Sequence, residues 1–319
     1  MRTRPQECAR RGATSIEHHL ARRDRNATIQ SQPPWIEEAL AYPCERSFAA
    51  VEGVELETLS WGRRGDPGLL LIHGFAASAD WWMFTAPFLA RNRRVVALSF
   101  SGSGRSGWRD AYGVEQWTRE AIGCIEACGL MEGGPVAIAA HSFGSSAGAR
   151  AAAALGERAR AFIILDRPIV QRYLRSPEPV APKPSSRWAS RTEAMARYRT
   201  LPPVTHAEPA VIAHVAQAAI HRPVDDNCWT WRQDPDLRAK LVSGQISIAD
   251  ELAAMRCAKT FLRGAHSTLF PPEDAAEIRT AGMQLIEIPG ADHHLMLEQP
   301  IATCVAIDLA LAFTEWDKR

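Results

Sequence analysis

The 319-residue chain has no apolar run long enough to span a bilayer, so an integral helical membrane protein is not expected. Net charge is nearly absent: 37 Lys plus Arg stand against 36 Asp plus Glu, a formal +1. A chain so balanced lacks the electrostatic footprint that binds nucleic acid or an anionic membrane, and neither is expected as a partner. The seven cysteines are odd in number and widely spread, with no Cys-x-x-Cys pair. That excludes a dense disulfide framework and points to a reducing, cytoplasmic setting. Cys124 and Cys128, four apart on an expected helix, read as core-facing thiols and not as a metal pair. Residues 1–34 hold seven arginines before position 26 and end in Pro33-Pro34, without the apolar core of a secretory signal. Glu7, Glu17 and Asp24 interrupt any transit-peptide pattern. The segment reads as a flexible extension, or as a start codon assigned too early, with His18-His19 a solvated pair.

What is present is a globular composition, 46% hydrophobic and 23% charged. Short apolar runs suggest strands at Leu69–His73, Val95–Phe100, Val136–His141, Phe162–Asp166, Thr260–Arg263 and Gln284–Ile288. Alternation in Val54–Trp61 suggests an earlier hairpin from Arg46. Helical patterns at Glu115–Cys128, Ser145–Leu155, Pro272–Ala281 and Ile301–Glu315 fall between or after the strands. Strands alternating with helices predict an α/β fold, a mostly parallel, doubly wound sheet covered on both faces. The alternation breaks between Arg167 and Arg256. There a proline-rich loop, Pro177–Pro184, precedes helical patterns at Arg191–Arg199, Pro209–His221, Asp236–Leu241 and Ser247–Met255.

Ser142 is the most informative residue. It lies in Ala140-His-Ser-Phe-Gly144, between the strand from Pro135 and a helix rich in small residues. A serine at that junction sits on a sharp turn, its Oγ beside the N–H groups that open the helix. The pattern departs from Gly-x-Ser-x-Gly at Ala140, and an ordinary strand–helix junction remains open on these five residues alone. Two distant segments add to it: His73-Gly74-Phe75 at the end of an upstream strand, and Gly290-Ala-Asp-His293-His294-Leu-Met-Leu-Glu-Gln-Pro300 near the C-terminus.

In order and spacing these three segments resemble the α/β-hydrolase family, from about Val54 onward. The resemblance implies a core of residues 35–166 and 257–319, with 167–256 inserted as a helical cap over the site. A cap with only a packing role is the bland alternative. The resemblance also implies a serine nucleophile at Ser142. Matched from Gly290 and Pro300, the base falls on His293, with His294 one place off. The acid is irregular: Ser267 stands where Gly-x-x-Asp usually supplies it, and Thr268 is not acidic either. In some relatives the acid follows the preceding sheet strand, which here gives Asp166. A strand-end aspartate bonded only to nearby backbone is the competing reading. Glu273 and Asp274 look like first-turn helix residues.

Oxyanion donors are expected from the backbone N–H groups of Phe75 and Phe143. Trp81 and Trp82 are expected either to wall the pocket or to fill the core. Gly102-Ser-Gly104-Arg-Ser-Gly107 satisfies GxGxxG after a strand, but no helix continues from it, and the next strand ends in His141 and not in an acid. It reads as a supporting turn and not a dinucleotide loop. The expected function is hydrolysis of a carboxylic ester or lactone through an acyl-serine, on a small-molecule substrate, with neither cofactor nor metal. Two other readings stay open: carbon–carbon bond hydrolysis of ring-cleavage diketones, for which Arg191, Arg197, Arg199 or His206 would hold a carboxylate, and a ligand receptor with little turnover. The sequence leaves the oligomeric state undetermined.

Overall fold

A computed structural model describes residues 32–167, 186–204, 206–242, 247–270 and 275–316. The expectations placed on residues 1–31, on the Pro177–Pro184 loop and on Glu273 and Asp274 lie outside these. Among the described residues no helix is long and apolar enough to cross a membrane.

Helix α1 (Pro34–Ala41) leads into strands β1 (Glu45–Val51) and β2 (Val54–Trp61). The chain continues through β3 (Gly68–Ile72), the short helix α2 (Ala86–Leu89), β4 (Arg94–Leu98) and α3 (Val114–Ala127). Then come β5 (Val136–His141), α4 (Gly144–Leu155) and β6 (Ala159–Leu165). Pro33-Pro34, read above as the end of an extension, instead opens α1. Proline suits a first helical position, because its missing N–H would be unpaired there anyway.

Between β6 and the next sheet strand lie α5 (Arg191–Ala196), α6 (Pro209–Ala218), a small hairpin of β7 (Ile220–His221) and β8 (Thr230–Trp231), and α7 (Ala249–Ala254). The sheet resumes with β9 (Ala258–Gly264), followed by α8 (Ala275–Thr280), β10 (Gln284–Ile288), α9 (Leu295–Glu298) and α10 (Pro300–Trp316).

Two expectations for the insertion fail. The β7–β8 hairpin replaces the end of the helix expected to reach His221. Asp236–Leu241 forms turns and no helix. Its backbone is spent elsewhere: the Lys240 carbonyl accepts from the Tyr112 N–H, and the Val242 N–H donates back to the Tyr112 carbonyl. Asp234 ties the same turn by accepting from the Asp236 N–H, Lys240 Nζ and the Tyr112 hydroxyl. One helical bond does form, from the Lys240 N–H to the Asp236 carbonyl, and the bridge to Tyr112 fixes the chain just beyond it.

The eight-stranded sheet runs β1-β2-β4-β3-β5-β6-β9-β10, with β2 antiparallel to both neighbours and the rest parallel. The apolar strands read as continuous runs because both faces are covered. In β3, Leu69 and Leu71 enter one core with α2, α6 and α10, while Leu70 and Ile72 enter the other with α3 and α4. From β3 the chain moves outward to β4, then crosses back to β5 on the other side. Such a reversal opens a crevice at the carboxyl ends of the strands, where ligands bind in open α/β sheets.

Candidate active site

Ser142 follows the last residue of β5 with φ 49°, in the left-handed region. Its N–H donates to the Leu165 carbonyl at 2.9 Å and its carbonyl accepts from Ser145, which pins the turn from both sides. The turn is possible because α4 begins with a glycine. A Cβ at Gly144 would overlap the His73 carbonyl of the neighbouring strand end. The departure at Ala140 is absorbed from the helix side. Its methyl group faces Gly148, where an added Cβ would stand 3.0 Å away, closer than the optimum of about 3.5–4.0 Å for carbon atoms.

The structure brings Ser142, His293 and Asp166 into one hydrogen-bonded relay. His293 Nδ1 lies 2.9 Å from Asp166 Oδ1, and Nε2 lies 3.0 Å from Ser142 Oγ. Nδ1 faces a carboxylate acceptor, so it carries the proton. Nε2 is left with its lone pair toward the serine hydroxyl, placed to accept that proton. His293 and Asp166 are both buried.

Asp166 follows β6 and also sits at positive φ, 43°. Its Oδ2 accepts from the Gly264 N–H at 2.8 Å, and Oδ1 accepts from the Ser267 hydroxyl at 2.6 Å. The two positions weighed for the acid therefore touch: Ser267 donates to the Asp166 oxygen that also faces His293. Of the four non-glycine residues at positive φ among those described, three are Ser142, Asp166 and Ala76, directly after Phe75; the fourth, Glu52, lies in the β1–β2 turn. Strain of this kind collects where a scaffold must aim particular groups.

Phe75 and Phe143 meet edge to face, with centroids 5.8 Å apart, and both line a cavity of about 480 Å³ that contains Ser142 and His293. Among the described residues neither backbone N–H has a hydrogen-bond acceptor within the protein. Trp81 lines this cavity, whereas Trp82 is fully buried in the core. His141 and His294 pack tilted against His293, with ring centroids 4.7 and 4.9 Å away, and Trp81 packs against His294 at 5.1 Å and His141 at 6.3 Å.

His141 Nε2 donates to the His293 carbonyl at 3.0 Å, and His294 Nε2 donates to the Pro202 carbonyl at 2.9 Å. His294 thereby ties the C-terminal loop to the insertion between β6 and β9. Burial, then the neighbouring imidazoles, push the His141 pKa well below the ordinary value; burial, then His293, takes His294 down to about 3. Both rings are neutral, and their Nδ1 lone pairs have no hydrogen-bond partner. One ring nitrogen from each of His141, His293 and His294 falls within 4.8 Å of the others, a donor set suited to zinc and similar divalent metals. His141 lies 152 residues from His293, so no local spacing in the sequence signals this cluster.

His73 is held differently. Its Nε2 accepts from the Phe100 N–H at 3.0 Å, its Nδ1 donates to the Gly74 carbonyl, and burial lowers its pKa to about 4. The glycine-rich turn at Gly102–Gly107 does hold an anion, but an internal one. Its Arg105 N–H donates to Glu57 Oε2 at 2.8 Å, and Ser99 Oγ donates to the same atom. His206 is exposed and stands 3.8 Å from Asp292, away from the relay.

A model of the family described as "Alpha/beta hydrolase family" matches residues 69–307. Solved structures share the architecture at low identity. A thioesterase domain from the curacin biosynthetic pathway superposes with TM-score 0.67 at 19% identity, over 83% of this chain and 99% of that one. An E-2-(acetamidomethylene)succinate hydrolase gives 0.70 at 18%, over 85% and 100%. An esterase from Mycobacterium tuberculosis gives 0.65 at 17%, over 88% and 95%. At these identities the likeness is one of fold. Among curated proteins, the dihydrolipoyllysine-residue acetyltransferase component of the acetoin cleaving system of Pseudomonas putida is 41% identical over 58 residues, which span 18% of this chain and 16% of that protein.

Proposed function

The chain belongs to the alpha/beta hydrolase family, and from that premise we propose that it is a serine hydrolase cleaving a carboxylic ester or lactone through an acyl-serine intermediate. The observation that carries the reading is the relay from Ser142 Oγ through His293 to Asp166. His293 Nε2 takes the Ser142 proton as Oγ bonds to the substrate carbonyl carbon. The carbonyl oxygen becomes an oxyanion, and the Phe75 and Phe143 N–H groups donate to it. Collapse re-forms the carbonyl and breaks the bond to the alkoxide, which leaves with the proton from Nε2. Water then repeats the sequence on the acyl-serine, releasing the acid and restoring Ser142. Asp166 fixes the productive tautomer and balances the imidazolium formed in each half.

Residues 167–256 serve as the cap in this reading. Tyr198, Arg199, Thr200 and Leu201 border the cavity that contains Ser142, which limits water around the acyl-enzyme. Structural neighbours described as a thioesterase, an esterase and a hydrolase suit acyl chemistry of this type.

The test is labelling with a fluorophosphonate, which modifies only an activated serine. The full chain should label at Ser142, and Ser142→Ala should neither label nor retain more than about a thousandth of the esterase turnover. An unlabelled, folded wild-type protein would favour the ligand-receptor reading instead.

A further inference from the structure

A second cavity of about 270 Å³ adjoins the one at Ser142; the two share Ala76, Trp81, Tyr198, Arg199 and Gln233 in their walls. Arg197, Arg199 and Arg232 line the second cavity, and Arg238 lines the first, while among the described residues no Asp or Glu lines either. Arg232 differs from the other three because it is half-buried, and its Nε is sealed from solvent with no hydrogen-bond partner. A guanidinium N–H sealed from water and left unpaired is costly unless something accepts from it.

The surrounding charges do not fill them. The buried carboxylates nearby are Glu57 and Asp80. Arg46 pairs with both, and Arg105 pairs with Glu57. Two anions and two cations balance, so Arg232 adds its charge to that of Arg197 and Arg199 at the cavity wall. Burial and Arg105 both press its pKa down, as expected for a cation without a counter-ion of its own.

We propose that the second cavity seats a carboxylate carried by the substrate at a point remote from the bond that Ser142 attacks, with Arg232 as its principal partner and Arg197 and Arg199 at the rim. A planar guanidinium presents paired N–H donors that match the two oxygens of a carboxylate. The shared walls, Trp81 and Tyr198, suit an apolar stem between the two polar ends. This deepens the serine-hydrolase reading by naming its substrate class: an ester or related acyl compound that also bears a free carboxylate.

The experiment measures binding, so it does not depend on turnover. Calorimetric titration of the full chain with adipate and with neutral adipamide, equal in length, should show adipate bound at least about tenfold more tightly. Arg232→Met should erase that difference while leaving adipamide unchanged, and Arg232→Lys should keep part of it. Equal binding of the two probes by wild-type protein overturns the proposal, whether or not the variants fold. So does an adipate preference that survives in folded Arg232→Met. Adipate preference in a protein that hydrolyses no ester and takes no fluorophosphonate overturns the serine-hydrolase reading instead and leaves the carboxylate seat standing.

Discussion

Replacing Asp166 by asparagine tests the relay at its least regular member. The backbone there has φ 43°, a region that asparagine enters readily, so the fold should be kept. The amide then has to choose an orientation. On one side stands the Gly264 N–H, a backbone donor that cannot turn away; on the other stand the Ser267 hydroxyl and His293 Nδ1, which can both adapt. Two opposed N–H donors repel, so the amide oxygen goes to Gly264 and the NH₂ group faces His293. The imidazole answers by moving its proton to Nε2. That leaves a donor facing Ser142 where an acceptor is needed, in addition to the loss of the anion that balances imidazolium. A wrong tautomer of this kind costs about 10⁴ in turnover, roughly 5.4 kcal/mol at 1.36 per decade.

The assay is steady-state hydrolysis of a nitrophenyl ester, with circular dichroism to confirm folding. Ser267→Ala is the control. It removes one donor to Oδ1 but leaves the carboxylate and the tautomer, and should cost no more than about tenfold. A folded Asp166→Asn protein within tenfold of wild type would refute the tautomer argument and with it the place of Asp166 in the relay.

Three further expectations follow from the same geometry. His293→Ala should abolish ester hydrolysis, whereas His294→Ala, which loses the tie to the Pro202 carbonyl and ring packing in the cavity wall, should act mainly on KM; the opposite pattern in kinetics would reverse the assignment. Acid should weaken the fold before most carboxylates titrate. His73 and His294 are held at about 4 and about 3 by burial, against 6.5 when unfolded, with His141 shifted the same way. Below pH 6.5 the unfolded chain gains protons that the folded chain refuses, so stability is lost as pH falls, by up to about 1.4 kcal/mol per pH unit for each group. Equal denaturation midpoints at pH 7.5 and 5 would contradict this. Zinc should inhibit the esterase reversibly by occupying the His293 Nε2 lone pair alongside His141 and His294, a chelator should restore activity, and His294→Gln should weaken the effect; undiminished turnover in excess zinc would count against that cluster as a metal site.

The chain's order of apolar runs was enough to define the sheet. A strand covered on both faces must be apolar at every position, and β3, β4, β5 and β6 announce themselves that way. Ser142 was legible for a local reason: small residues and a strand–helix junction are written within a few positions of one another. His293 was readable from its flanks, Gly290 and Pro300.

The acid was not settled by sequence, because Asp166 and Ser267 each end or follow a strand and only their separation distinguishes the roles. The structure sets them 2.6 Å apart, with the hydroxyl donating to the carboxylate and His293, 127 residues further on, against the same oxygen. Alanine at 140 is small enough for the turn on sequence grounds, and the tertiary structure adds that Gly148 faces it. The turns at Asp236–Leu241 and the β7–β8 hairpin escaped because their backbone partners, or the strand opposite, lie where no period in the sequence reports them. Periodicity records which face of an element is buried. It carries no record of which distant group stands across the gap, and for Asp166 and the three histidines only the tertiary structure supplies that partner.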